Sequence, residues 1–343
     1  MKTVVFDRHV LEQEVKPHAL LDRYRRLLAE DVMSRLAESD QLKSTGCPGC
    51  LSHGGSAAFE KLGMTYRQCE TCRSLYVSPR PTEEVLVDFY RNSKSSLFWR
   101  ERILPETRET RREKLFSPRA QWLLDVVDEY LPKAQMGVVV GYHNDLMIEE
   151  LLRMEENLFK LLVTNPVADI ECDHLKSENV VIRPMPESTL DAIGPSDIFL
   201  AFDILDRCVD TDVLFSAATK SLAPGGLFVG STTLISGFDL QVLWDRSESI
   251  YPPDRMNLLS IEGLTALYER HGFEALEFST PGMFDVEIVR RSIQGAPQDD
   301  WPRFIRYLVE NRDEEALHSL QEYLQRYRLS SFGRIVLRAV GTS

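Results

Sequence analysis

The run Met136–Asp145, MGVVVGYHND, organises the second half of the chain. Val138, Val139 and Val140 form a short β-branched run, Gly141 breaks it, and polar residues lead into a helix expected to open at about Asn144. Such a run, bounded by turn residues, fits a parallel strand covered on both faces. Apolar runs then alternate with helix-period stretches. Strands are expected near Val138–Gly141, Lys160–Asn165, Val180–Arg183, Asp197–Phe202 and Leu227–Thr232, with a sixth at Phe273–Ser279 and a last at Arg334–Ala339. Helices are expected between them, among them Asp212 to Leu222 and Ile261 to His271. Ala223-Pro224-Gly225-Gly226 reads as a sharp helix-to-strand turn with glycine where φ is positive. The pattern predicts an α/β fold with a mostly parallel sheet of seven strands. In such sheets a ligand sits beyond the carboxyl ends of the strands, where strand order reverses. That makes the Gly141 loop a candidate binding site. The segment 281–330, before the last strand, reads as a helical insertion with patterns at Trp301–Glu310 and Glu314–Tyr327; a lid, a substrate-binding element and an oligomer contact are its alternatives.

The first half is patterned differently. Leu20, Leu21, Tyr24, Leu27 and Leu28 recur at helical spacing among charged residues, and Met33, Leu36 and Leu42 extend the pattern. Residues 1–45 therefore read as a helical segment packed on the domain behind it, with a dimerisation helix, and so a homo-oligomer, as the alternative. Cys47-Pro48-Gly49-Cys50 and Cys69-Glu70-Thr71-Cys72 flank a loop that begins rich in Gly and Ser. Two such knuckles match the four-thiolate zinc pattern: each tight turn lets two thiolates converge on one ion, and the intervening hairpin brings the pairs together. Four thiolates leave no open coordination position, so the zinc is expected to be structural. The competing reading, a pair of redox-active motifs, lacks the helix that a thioredoxin-like unit places after the first cysteine. His53 reads as a loop residue, and Cys172 and Cys208 as buried free thiols.

The ribbon spans 46–81, ending on Pro79 and Pro81. Thr82 is the expected cap of the next helix, with Glu83 and Glu84 in its first turn. Residues 82–135 form a helical linker region before the α/β domain at 136–343. Within it, Arg100 to Lys114 is dense in both signs of charge, a solvated face or alternatively a contact for an anionic substrate. Gln121 to Tyr130 is an amphipathic helix closed by Pro132.

Composition narrows the function. The 343 residues are 43% hydrophobic and 27% charged, with a formal net charge of −13. That balance argues against nonspecific nucleic-acid binding, which needs a concentrated basic surface, but leaves room for a local basic patch. No apolar run approaches the ~20 residues that span a bilayer, and MKTVVFDRHVLEQEV lacks the apolar core of a signal peptide. With cysteines paired at metal spacing, the expected compartment is the cytoplasm.

Several motifs resemble those of class I S-adenosylmethionine-dependent methyltransferases that carry an N-terminal zinc ribbon. The resemblance runs from Cys47 onward. It is carried by the ribbon leading into Tyr76-Val77-Ser78-Pro79-Arg80-Pro81, by Asp197 to Gly230 with its Leu222-Ala223-Pro224-Gly225-Gly226 turn, by Met256-Asn257-Leu258-Leu259-Ser260 and by Gly272-Phe273. It implies a Rossmann-like methyltransferase sheet, S-adenosylmethionine as cofactor, cofactor contacts at Gly141, Tyr142, Asn165 and Asp203, and a sugar or other small metabolite of a biosynthetic pathway as substrate. The chain also departs from the family. Val139 falls where an acid is usual, His143 and Asp145 where glycines are, and Asn165 where an acid accepts the ribose hydroxyls. Leu205-Asp206-Arg207 replaces a Leu-Glu-His triplet, and the stretch after the third strand, RPMPEST, offers no strong acid for the adenine amino group.

These residues leave three readings open. One is a divergent methyltransferase, with His143, Asp203, Asp206 and His271 as candidates for a general base. The second is a catalytically inactive relative that serves as a scaffold or binding partner. In the third, the loop Gly141-Tyr142-His143-Asn144 at a helix N-terminus presents N–H groups, with His143, to a different anionic ligand. The cleft above Gly141 discriminates: open as far as Asn165 and Asp203 for an enzyme or ligand binder, filled by Tyr142 or His143 for a scaffold.

Overall fold

The computed structural model describes residues 12–15, 17–155, 159–294 and 301–340. The start of the expected N-terminal segment and residues 295–300 of the insertion lie outside that range. Seven strands form one sheet: β1 (Met136–Val140), β2 (Lys160–Thr164), β3 (Val180–Ile182), β4 (Ser196–Phe202), β5 (Leu222–Thr233), β6 (Phe273–Ser279) and β7 (Phe332–Ala339). Their order is β6-β7-β5-β4-β1-β2-β3. β1 to β5 pair in parallel, and β7 runs antiparallel between β5 and β6. Every expected strand is present.

The sequence builds this sheet by alternation within apolar runs. Val138, Val140, Phe199 and Phe228 pack on one face. Val139, Leu161, Leu200 and Val229 pack on the other. Buried on both sides, Val138–Val140 of β1 and Ile198–Phe202 of β4 are apolar throughout. Strand order reverses between β1 and β4, the neighbours at the centre of the sheet, so the open crevice is expected above their carboxyl ends. The expected turn Ala223–Gly226 lies within β5, as an irregularity in its pairing with β4 between Leu222 and Leu227, with Gly225 at φ 83°.

Helix Ile261–Arg270 is capped by the Ser260 hydroxyl, which accepts the N–H of Gly263. Thr82 also stands at a helix start, ahead of Glu83–Asn92, but makes no capping bond; its hydroxyl donates to Gln41 Oε1 instead. The insertion holds helices Arg303–Asn311 and Glu314–Arg326, plus Asp285–Gln294, which the periodicity reading missed.

The N-terminal parts are built into this domain. Leu21, Tyr24, Leu28 and Val32 from helix His18–Val32 share a core with Tyr66 and Leu75 of the ribbon and with Ile250 and Leu258 of the α/β region. The ribbon hairpin Gly55–Lys61/Met64–Cys69 and strand Leu75–Val77 extend into a four-stranded sheet whose fourth strand is Asn257–Leu258. Among the described residues, no helix is long and apolar enough to cross a membrane.

Candidate functional site

Two sites emerge, a cysteine cluster and a cavity above the centre of the sheet. The sulfurs of Cys47, Cys50, Cys69 and Cys72 all lie within 4.8 Å of one another, a group able to hold a metal ion. Cys47 and Cys72 are 3.5 Å apart, as are Cys50 and Cys69. These separations are too long for a disulfide (about 2.05 Å) and near the ~3.8 Å between corners of a tetrahedron with metal–sulfur bonds of about 2.3 Å. His53 is not in the cluster, and Cys172 and Cys208 are buried free thiols.

The α/β domain grips this cluster. The Thr211 hydroxyl donates to Pro48 O at 2.7 Å, Arg270 donates to the carbonyls of Pro48 and Gly49, and Ser260 Oγ donates to Cys72 O at 2.5 Å. Asp212 holds Arg270 at 2.7 Å and His271 at 2.7 Å. His271 therefore serves the ribbon interface and is remote from the cavity.

The loop after β1 is closed on itself. Gly141 takes φ 137°, where an added Cβ would stand 3.0 Å from both Asn144 Nδ2 and Phe202 O. Sterics alone account for glycine there. Asn165, just past β2, donates from Nδ2 to Gly141 O at 2.8 Å, and its Oδ1 accepts Val167 N–H at 2.7 Å. His143 sits at φ 57°, with its N–H 3.0 Å from Glu171 Oε2 and its Nδ1 3.0 Å from Glu171 Oε1. Burial opposes ionisation of Glu171, yet His143 keeps its carboxyl below the usual range. The structure thus brings Gly141, Tyr142 and Asn165 together, with Asn165 turned inward and His143 committed to Glu171. Glu171, unflagged in the sequence, completes the latch.

Beside the latch lies a cavity of about 220 Å³, walled by the N-terminal helices, Tyr142 to Asn144, Asp203, Arg207 and the stretch 248–255. It reaches Asp203 but Asn165 does not line it. Tyr142 stacks on Tyr90 with ring centres 4.4 Å apart, and Arg207 lies over Tyr142. Asp203, left-handed at φ 54°, receives Arg119 at 3.0 Å and the Ser231 hydroxyl at 2.6 Å. Burial would raise its carboxyl, but Arg119 and Ser231 prevail and hold it at about 2. Asp254 accepts from Tyr24 and Tyr90 at 3.2 and 3.0 Å and faces Arg207 at 3.4 Å. Asp206, a candidate base in the sequence, is fully buried and engaged by Thr233 and Arg255, so it supports the wall from behind. A second cavity of about 240 Å³ adjoins, sharing Leu115, Arg119, Ser249 and Arg255 and bounded by Pro281 to Asp285 of the insertion.

Sequence reasoning missed most of this wall. Arg111 had a signal in the charged run Arg100 to Lys114, and Arg207 in the triplet Leu205-Asp206-Arg207; Arg119, Arg255 and Asp254 had none.

The strand order, with β7 antiparallel between β5 and β6, is that of the class I methyltransferase fold. No family model matches the chain, and no curated protein does. Similar solved structures include the plantazolicin methyltransferase BamL, 12% identical over 76% of this chain and 96% of that one, with a TM-score of 0.47. The O-methyltransferase of a trans-AT PKS multienzyme from Brevibacillus brevis is 11% identical over 76% and 80% of the two chains, at 0.44. Phosphoethanolamine N-methyltransferase 2 from Haemonchus contortus is 14% identical over 78% and 63%, at 0.48.

Proposed function

We propose that this chain is a catalytically inactive relative of the methyltransferases: a small-molecule-binding protein that does not hold S-adenosylmethionine in the family's position. The carrying observation is the latch. Asn165, which the resemblance assigns to the ribose, spends both halves of its amide on Gly141 O and Val167 N–H. The adjacent His143 N–H is taken by Glu171, and the ring Nδ1 faces the same carboxylate. The residues present do not fit the cofactor in the manner the resemblance implies.

The cysteine cluster fits zinc in a structural role, since four thiolates complete a tetrahedral shell. In this reading the chain divides into 1–45, 46–81, 82–135 and the 136–343 domain, the described residues of the first three packing on the fourth; the ligand is a small molecule, and the protein works in the cytoplasm.

Calorimetric titration of the zinc-loaded protein with S-adenosylmethionine and S-adenosylhomocysteine tests the proposal. No heat at high micromolar protein is expected. Micromolar binding would overturn it in favour of a second reading, methyl transfer to an acceptor in the adjoining cavity. That reading draws on Asp203, an ionised carboxylate at the end of β4 joined to the shared residue Arg119.

A further inference from the structure

The chain carries a formal charge of −13, yet the cavity above β1 and β4 gathers six arginines: Arg25, Arg111, Arg119, Arg207, Arg255 and Arg291. Three carboxylates share the wall, and each is matched. Asp203 faces Arg119, Asp254 faces Arg207, and Glu248 faces Arg25 at 2.7 Å and Arg291 at 3.7 Å. Arg255 pairs with Asp206 behind the wall. Arg111 is left over. Its guanidinium lies 5.2 Å over the Trp99 ring and donates from Nε to Val15 O; among the described residues no carboxylate comes within ion-pair distance.

Apart from His143 Nδ1, which faces Glu171 at 3.0 Å, the polar atoms on the wall that lack a hydrogen-bond partner have one character. Trp99 Nε1, Asn144 Nδ2, Arg207 Nε and Arg255 Nε are buried without a hydrogen-bond acceptor. These four are donors. Asn144 is the most enclosed, with 2% of its surface exposed, at the start of helix Asp145–Met154. A buried donor without an acceptor costs free energy in the empty site and returns it when a ligand supplies one. An excess of fixed positive charge in the same space selects an anionic acceptor.

We propose that this cavity binds the oxyanion group of a small metabolite, a phosphate ester or a carboxylic acid, with Arg111 as its charge partner and the Asn144 amide as its neutral donor. The proposal rests on the small-molecule-binding reading above but does not depend on whether S-adenosylmethionine binds.

Inorganic phosphate and succinate serve as probes, titrated calorimetrically into the full-length, metal-loaded protein at low ionic strength. Saturable binding of at least one is expected, with tighter phosphate marking a phosphate ester and tighter succinate a carboxylic acid. Arg111→Ala should weaken that binding roughly ten- to a hundred-fold, as expected when a charged hydrogen bond is lost. Asn144→Asp should abolish it while the protein stays folded, because aspartate suits a helix N-cap as well as asparagine. It therefore decides the matter if Arg111→Ala fails to fold. Arg102→Ala, which removes only an exposed pair with Glu106, should bind as the parent does. The proposal is overturned if neither probe binds, or if the Arg111 and Asn144 variants bind with parental affinity. Binding of S-adenosylmethionine would sink the cofactor reading alone; the Arg111 dependence of phosphate or succinate would still decide this one.

Discussion

Glu171 holds His143 twice, through the backbone N–H at 3.0 Å and opposite the ring nitrogen at 3.0 Å. The contact closes the β1 loop over the end of β2. Glu171 is 4% exposed at its side chain, and its carboxyl titrates below the usual range because His143 outweighs the cost of burial. A folded-state value below the unfolded one means that this stabilisation is fully present above the unfolded value of about 4.3 and is lost as pH falls through the folded value. Glu171→Gln should cost about 1–3 kcal/mol at neutral pH and flatten the acid side of the stability profile, read by urea unfolding between roughly pH 3 and 7. Some slope should remain, since Asp203, Asp212 and Asp254 are held low as well.

Asn165→Asp restores the acid that the family places after the second strand. If the cofactor were limited only by that missing charge, affinity for S-adenosylmethionine would appear. The contacts lead to the opposite expectation. Aspartate loses the donor to Gly141 O at 2.8 Å and sets a carboxylate against Glu171, 3.3 Å from the present amide nitrogen. The variant should be destabilised by about 1–3 kcal/mol and bind no cofactor. Denaturation and calorimetry on one preparation check both halves; tight binding would show that the latch opens readily.

The fold was legible because its information is local. The valines of β1, the Pro-Gly-Gly turn within β5 and the paired cysteines each announce an element within a few residues. The cavity was not, because its charge is assembled from distant segments: Arg25 from an N-terminal helix, Arg111 and Arg119 from the linker helices, Arg207 after β4, Arg255 before Asn257–Leu258 and Arg291 from the insertion. Net charge hides such a cluster. The third reading, an anion near the loop, offered His143 as its cation, but His143 faces Glu171, and Arg111, which lies in the same cavity, carried only the signal of a charged run. The inward bonding of Asn165 depends on Gly141 and Val167 adopting particular backbone geometry, which residue type does not reveal.

Arg119 and Asp203 should prove energetically coupled. The pair is 3.0 Å apart, with Asp203 37% exposed at its side chain, so it lies between a surface ion pair worth about 0–1 kcal/mol and a buried one whose breaking costs about 3–5. Arg119→Ala should cost about 1–2 kcal/mol. Asp203→Asn keeps a partner for the Ser231 hydroxyl and should cost less. A double-mutant cycle on unfolding free energies should return a coupling of about 1 kcal/mol. Additive effects would mean that Ser231 alone fixes the carboxylate.

The metal site should be sensitive to a residue far from it in sequence. Helix Ile261–Arg270 lies against the second knuckle so closely that a Cβ on Gly263 would collide with Ser74 Oγ and stand 3.1 Å from Cys72 Sγ. Gly49 of the first knuckle also meets this helix, since a Cβ there would lie 2.8 Å from Gly263 Cα. In a helix interior, alanine is normally favoured over glycine by about 1 kcal/mol, so propensity predicts that Gly263→Ala stabilises the protein. Packing predicts the reverse: the methyl group must displace Ser74 and press on a metal ligand. The parent should carry one equivalent of zinc by elemental analysis and lose thermal stability on chelation. Cys69→Ser should lower the zinc content, and Gly263→Ala should release zinc to a chelator at lower concentration than the parent, with a reduced melting temperature. Stabilisation by Gly263→Ala with unchanged zinc retention would mean that helix and knuckle are not held together as closely as these contacts place them.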